Sequence, residues 1–407
     1  MTAVAFLNIA MHGHINPTLP VAAELVRRGH PVTYHSTPDY ADKIAGTGAR
    51  VLLYAGHDVP LSGPPTPVTL MEQLVRTAVR VLPAVLSDLR DTRPDVIVHD
   101  SLCPWGPVAA RELDVPAASS FTTFAFNRHV PSPTRGSWRM LAAAATLPRN
   151  AAGYLRSRWK LGRRYDTRTL PLIDLANIRQ PLNLVYTSRE FHPEADSFDQ
   201  SYRFVGPSVG ARSAGSPFPI DQLRDPVVYV SMGTVFEVGP RLLGSLATAL
   251  APLAGSVIIS TGHTDPAALG ALPDNVIARR SVPQPDVLAR AALFVTHGGV
   301  NSVNEAMYAG VPMLVVPQGA DQSLVASRVV DLGAGLSIRT EDVEVEVARD
   351  LAQRLLDEPR FRAAASTLQV AQRQAGGYSR AADELERYVQ HAGRANRPGP
   401  AGQPTEG

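Results

Sequence analysis

Cysteine is almost missing: Cys103 stands alone among 407 residues. One thiol closes no intramolecular disulfide and builds no cysteine zinc cluster. That scarcity leads us to expect a reducing, cytoplasmic setting. Lysine is nearly missing too, since Lys43 and Lys160 stand alone and arginine supplies the rest of the 39 basic residues. Against 37 acidic residues the formal net charge is only +2, which offers no electrostatic footprint for a nucleic acid. No basic leader precedes the short apolar run at 4–9, so no targeting segment is expected. The uncharged stretch 242–262 approaches the ~20 apolar residues that a membrane span needs. Gly244, Ser245, Pro252, Gly255 and Ser256 interrupt it, so we expect a helix and then a buried strand. No aspartates stand at metal-ligand spacing, and the acidic run 342–346 fits the start of a helix. A metal site is therefore not expected. A Walker loop and a GxGxxG fingerprint are also lacking, which disfavours an ATPase and a dehydrogenase.

What is present is an alternation of strand and helix. Apolar strands are expected at 4–9, 32–35, 50–54, 96–98 and 117–120, with helices at 19–27, 39–45, 70–90 and 107–113. Pro17 fits a first helical position. A stretch rich in Gly, Pro and Ser follows, and then the pattern restarts. Strands are expected at 227–231, 257–260, 276–279, 293–296 and 313–316, with helices at 240–250, 302–308, 343–356 and 363–391. The fold class is α/β, with two doubly wound Rossmann-like domains facing a central cleft. We divide the chain into a first domain at 1–205, a linker at 206–220, a second domain at 221–375, a C-terminal helix at 376–392 and a disordered tail at 393–407. Between 132 and 175 lie Arg149, Arg156, Arg158, Lys160, Arg163, Arg164 and Arg168 among apolar residues. They fit helices with a solvated basic face, or else a surface that lines an acceptor or skims a membrane.

The most specific local signal runs from His297 to Glu305, sequence HGGVNSVNE. It follows an apolar strand and opens a helix. Gly298 and Gly299 let backbone approach a ligand closely, and Asn301 or Ser302 can cap the helix. The helix start then offers free N–H groups to an anion. His297 can donate to a phosphate oxygen, and Glu305 can accept from a ribose diol.

With these residues the sequence resembles the GT-B glycosyltransferases that modify secondary metabolites. His297, Gly299, Asn301, Ser302 and Glu305 match their nucleotide-sugar signature. The likeness extends to Val282-Pro283-Gln284, to Pro317 with Asp321-Gln322, to Ser231-Met232-Gly233-Thr234, and to Gly13-His14-Ile15-Asn16-Pro17. It is nearest to the bacterial macrolide glycosyltransferase subgroup. The resemblance implies that Gln284 contacts the ribose and the Val282 backbone the base. It gives His297, Asn301, Ser302 and Thr234 the diphosphate, and Asp321 and Gln322 the donor-sugar hydroxyls. Many relatives carry a tryptophan before xPQ; here Ser281 stands there, so UDP and dTDP both remain open.

Glycosyl transfer with inversion needs a base for the acceptor hydroxyl, and histidine suits it near neutral pH. Spacing leaves His12 and His14 equal; the family pattern assigns the base to His14, oriented by Asp100. Simpler explanations exist for single residues: Asp100 as a strand-end cap, Asp321 as a solvated helix start, Gln284 as a loop cap. The expected activity is transfer of a hexose, glucose from UDP-glucose above others, to a hydroxyl of a small hydrophobic acceptor such as a macrolide or polyphenol. The donor is a co-substrate, so no cofactor is expected. Neither a nucleic-acid partner nor stable membrane insertion is expected. The alternatives are a dTDP-deoxysugar transferase of antibiotic biosynthesis, a nucleotide-sugar epimerase, or a binding module without turnover.

Overall fold

The computed structural model describes residues 1–55, 66–130, 148–172, 174–175, 177–210, 218–233, 238–319 and 321–395. Among the described residues two parallel sheets form. The first takes β1 (Val4–Leu7), β2 (Val32–Ser36), β3 (Arg50–Leu53), β4 (Val96–Asp100), β5 (Ala117–Phe121), β6 (Leu182–Val185) and β7 (Tyr202–Phe204), in the order 3-2-1-4-5-6-7. The second takes β8 (Val227–Ser231), β9 (Ser256–Ser260), β10 (Val276–Arg279), β11 (Ala291–Thr296), β12 (Met313–Val315) and β13 (Gly335–Ser337), in the order 10-9-8-11-12-13.

Strand periodicity builds the layers. In β1, Val4 and Phe6 join the core on one face of the sheet, while Ala5 and Leu7 join the core on the other. In β8, Val227 and Tyr229 separate from Val228 and Val230 in the same way. Strands apolar on both faces need helices above and below. The first sheet receives α1 (His12–Ile15), α2 (Leu19–Arg27), α3 (Ala41–Ala45), α4 (Pro67–Thr92), α5 (Trp105–Leu113) and α6 (Pro148–Gly162). The second receives α7 (Pro240–Leu250), α8 (Gln284–Arg290), α9 (Val300–Ala309), α10 (Gln322–Asp331), α11 (Val345–Asp357) and α12 (Pro359–Gln374).

The last helix, α13 (Gly377–Ala395), returns to the first domain. Ala381, Ala382 and Leu385 are buried in one core with Val21 and Leu25 of α2. Arg28 Nη1 donates to Asp383 at 2.6 Å and Glu386 at 3.0 Å, and His30 lies 2.7 Å from Glu386. The two chain crossings between domains touch, because Gly377 N–H donates to Val205 O at 2.6 Å.

Several expectations need correction. Helix α2 starts at Leu19, with Pro20 in its first turn, so Pro17 sits in the preceding turn. The stretch 363–391 is not continuous: Gly376 and Gly377 adopt φ of 97° and 61°, which ends α12 and redirects the chain. Helix α13 runs to Ala395, three residues into the expected tail; 396–407 lie outside the described residues. Strands β6, β7 and β13 were not expected.

Candidate functional site

Both sheets reverse their direction of growth at one place: between β1 and β4 in the first, between β8 and β11 in the second. Crevices open beyond the carboxyl ends of strands at such switch points. The candidate residues cluster at both.

In the first domain, Leu7 of β1 pairs with His99 of β4, so residues just past β1 meet the end of β4. His14 lies in α1, the single turn after β1, and is 8% exposed; Asp100 ends β4 fully buried. His14 Nδ1 stands 2.7 Å from Asp100 Oδ2. The other oxygen, Oδ1, accepts from Leu102 N–H at 2.8 Å. Asp100 therefore caps its turn and grips the histidine at once. A carboxylate only accepts, so Nδ1 is the nitrogen that donates to Asp100, and Nε2 is the one left for a further partner. Thr122, just past β5, places Oγ1 2.8 Å from the same His14 nitrogen and 3.5 Å from Asp100 Oδ2. Buried Asn8 fixes the loop by donating to His14 O at 3.2 Å and Thr18 Oγ1 at 2.8 Å. His12 is exposed and pairs instead with Tyr40, whose hydroxyl lies 3.0 Å from His12 Nδ1. Partial burial, then Lys43 and His263, hold its pKa below the usual histidine value.

In the second domain, β11 leads through Gly298 into α9. The N-cap is Gly299, with no side chain capping, so neither Asn301 nor Ser302 caps the helix as expected. The helix begins at Val300, two turn positions earlier than the sequence suggested, because Gly299 carries the extended backbone (φ −63°, ψ 132°) of the entry. First-turn N–H groups are thereby left for an anion. The His297 ring is held between two glycines: a Cβ on Gly233 or Gly299 would come within 2.6 or 2.5 Å of Nε2. Desolvation lowers its pKa to about 4 against a smaller opposing effect of the Ser231 backbone, so the ring is neutral near pH 7. Ser231 itself ends β8 and is buried.

Gln284 opens α8 and bridges several groups. Its Oε1 accepts from Tyr229 at 3.0 Å; its Nε2 donates to Glu305 Oε2 at 2.8 Å and Ser302 Oγ at 3.3 Å. It is not a loop cap. Val282 packs against the second-domain core beside it. Thr234 lies outside the described residues. Asp321 occupies the N-cap of α10 but makes no side-chain cap bond. Desolvation raises its pKa, opposed by its own backbone N–H and then by His14. Gln322 is buried and its Oε1 accepts from Gln318 N–H at 2.8 Å, which shapes the loop and leaves Nε2 for a ligand.

The two halves touch. Asn301 Nδ2 donates to Gly13 O at 2.6 Å, one residue from His14. Deeper in, Asn304 Nδ2 donates to Tyr186 O at 2.9 Å, and its Oδ1 accepts from Thr187 at 2.7 Å and Gln372 at 3.1 Å. The sequence reading missed Thr122, Asn8 and this buried knot. A hydroxyl just past a central strand signals the first; the knot has no local signal. Among the described residues no three His, Cys, Asp or Glu side chains are placed to hold a metal ion. No described helix is long and apolar enough to cross a membrane.

Residues 244–376 match the family described as erythromycin biosynthesis protein CIII-like, C-terminal domain. The chain is 32% identical over 395 residues to the NDP-glycosyltransferase YjiC of Bacillus subtilis, covering 95% of this chain and 97% of that protein. It is 33% identical over 392 residues to the oleandomycin glycosyltransferase of Streptomyces antibioticus, covering 94% and 90%. The solved structure of the glycotransferase of kitacinnamycin superposes with a TM-score of 0.81 at 31% identity, covering 95% of this chain and 98% of that one. Two facing doubly wound domains, a histidine–aspartate pair on one rim and an anion-ready helix on the other agree with these likenesses: the chain belongs to the macrolide glycosyltransferase subgroup of the GT-B nucleotide-sugar glycosyltransferases.

Proposed function

We propose that the enzyme transfers a hexose, with UDP-glucose as the preferred donor, to a hydroxyl of a small hydrophobic acceptor, with inversion and without a metal. The observation that carries this reading is the His14–Asp100 contact of 2.7 Å on a rim tied to the start of α9. His14 Nε2 takes the acceptor proton as the acceptor oxygen attacks the anomeric carbon. The bond from that carbon to the diphosphate oxygen breaks, and its electron pair leaves with the diphosphate. Asp100 stabilises the imidazolium that forms. The free N–H groups of α9, with His297, Asn301, Ser302 and Thr234, receive the departing charge. Gln284 and Glu305 serve the ribose and Val282 the base.

The donor choice rests on Asp321. Its carboxylate caps no helix and stands just past the carboxyl end of β12, the strand beside β11, on the side of the sheet where ligands bind. A carboxylate accepts two O–H bonds, and Gln322 Nε2 can add a donor, which suits adjacent hydroxyls of glucose. A deoxysugar would leave these groups unpaired, at a cost in affinity. Side-by-side kinetics with UDP-glucose, dTDP-glucose and a dTDP-2,6-dideoxyhexose, run in excess EDTA, test the reading. The two glucosyl donors should differ by no more than about two orders of magnitude, since base contacts are worth roughly 1–3 kcal/mol. The dideoxy donor should be far poorer, and much less penalised in Asp321→Ala. Preference for the dideoxy donor would make the protein a deoxysugar transferase; activity lost in EDTA and restored by magnesium would overturn the metal-free mechanism.

A further inference from the structure

Helix α6 has two unlike faces. Tyr154 and Leu161 are buried in the core shared with α4. On the opposite side Leu155 and Trp159, one helical turn apart, are 63% and 60% exposed. Leu172, in the segment after the helix, is 66% exposed; Tyr154 donates its hydroxyl to Leu172 O and Arg158 donates to Leu170 O at 2.8 Å, which ties that segment back to α6. Exposed Arg156 and Lys160 each follow one of the apolar residues, and exposed Arg163 and Arg164 continue past the helix end. The Arg163 guanidinium lies 4.9 Å from the Trp159 ring. No acidic residue occurs between 148 and 165, and the first one after, Asp166, is bound by Arg111 and Arg168.

We infer that this face docks the first domain on a bilayer carrying anionic lipid headgroups. A second copy of the chain fits poorly, since a symmetric contact would press four cations against four like charges. A nucleic acid would use the cations but not Leu155. An anionic bilayer uses both: the arginines and the lysine meet headgroup charge while leucine and tryptophan enter the interface. The helix lies on the surface and does not cross it, which its length and charge forbid.

The test is co-sedimentation of the full chain with vesicles of phosphatidylglycerol and phosphatidylcholine in equal parts, against phosphatidylcholine alone. Binding should be at least about tenfold stronger to the anionic vesicles and should fall steeply with salt. The double variant Arg156→Glu, Lys160→Glu should lose about tenfold or more, and Trp159→Ala severalfold, with melting temperature and glycosyl transfer unchanged. Absence of vesicle binding overturns the inference. So does equal binding to both vesicle types, or undiminished binding by the charge-reversed variant. Tighter binding to polyuridylate than to anionic vesicles would make the face a nucleic-acid surface. Dimerisation that Trp159→Ala abolishes, without vesicle binding, would make it a self-interface.

Discussion

His14 has one nitrogen shared by Asp100 and Thr122, which leaves the other for a further partner. That division of labour sets the expected mutational ranking. If His14 acts on the acceptor, as proposed, His14→Ala should cut turnover about a hundred- to ten-thousand-fold and leave donor affinity, measured by calorimetry, within a factor of about two. Asp100→Ala should cost less, since the ring remains but loses its orientation. Thr122→Val should cost least, and Thr122→Ser should restore it. Near-normal turnover in His14→Ala would reject the assignment and bring His12 forward. Sequence spacing alone left His12 and His14 equal. What separates them is register: the single turn of α1 swings His14 over the end of β4 and His12 outward to Tyr40. Asp321 was ambiguous for a related reason. A carboxylate at a helix start has the same sequence context whether or not it caps, and only the missing cap bond distinguishes the two.

At the scale of elements, α9 carries different duties on different sides. Asn301 reaches Gly13, Asn304 reaches Tyr186 and Thr187, Glu305 meets Gln284, and Val303, Ala306 and Met307 fill the core. Helix α9 is thus bolted to the domain that holds His14 and Asp100. Loss of one buried hydrogen bond costs about 1 kcal/mol, or roughly fivefold in an equilibrium. Thr187→Val should therefore lower kcat by up to about fivefold with donor KM unchanged, and raise hydrolysis of the donor relative to transfer. Thr187→Ser should behave as wild type. A raised donor KM at unchanged kcat would show that the knot serves binding and not alignment. The long apolar strands and the strand–turn–helix at His297 were legible because periodicity and glycine placement are local properties. The short strands β6, β7 and β13 were not, since their pairing depends on a sheet already built. The N-cap of α9 is Gly299, in extended backbone, two positions before the expected Asn301, so no side chain caps the first turn.

For the molecule as a whole, buried neutral histidines set the response to acid. Burial pushes His99, His192 and His297 down to about 4. The unfolded chain takes these protons near pH 6.5, while the folded chain resists until near pH 4. Their contribution to stability is therefore fully present above pH 6.5 and declines as pH falls toward 4. Each site contributes at most roughly 3 kcal/mol over that window. Urea midpoints should drop steadily from pH 6.5 to pH 4, and His192→Phe should flatten the slope. A midpoint constant over this range would contradict the burial of these rings. Two domains and their facing cleft were readable from the restart of the strand pattern after the linker. The return of α13 was not, because Arg28, Asp383 and Glu386 are more than 350 residues apart and nothing local links them.

That return changes what the second domain is. The chain leaves the first domain after Val205, re-enters it at Gly377, and these two residues are hydrogen-bonded to each other. Topologically the second domain is a cassette inserted into the first, with its entry and exit crossings joined by one backbone hydrogen bond. Swapping it among homologues by splicing at those two points should preserve the core between α2 and α13, and should join one protein's second domain to another's first wherever the shared interdomain core is matched.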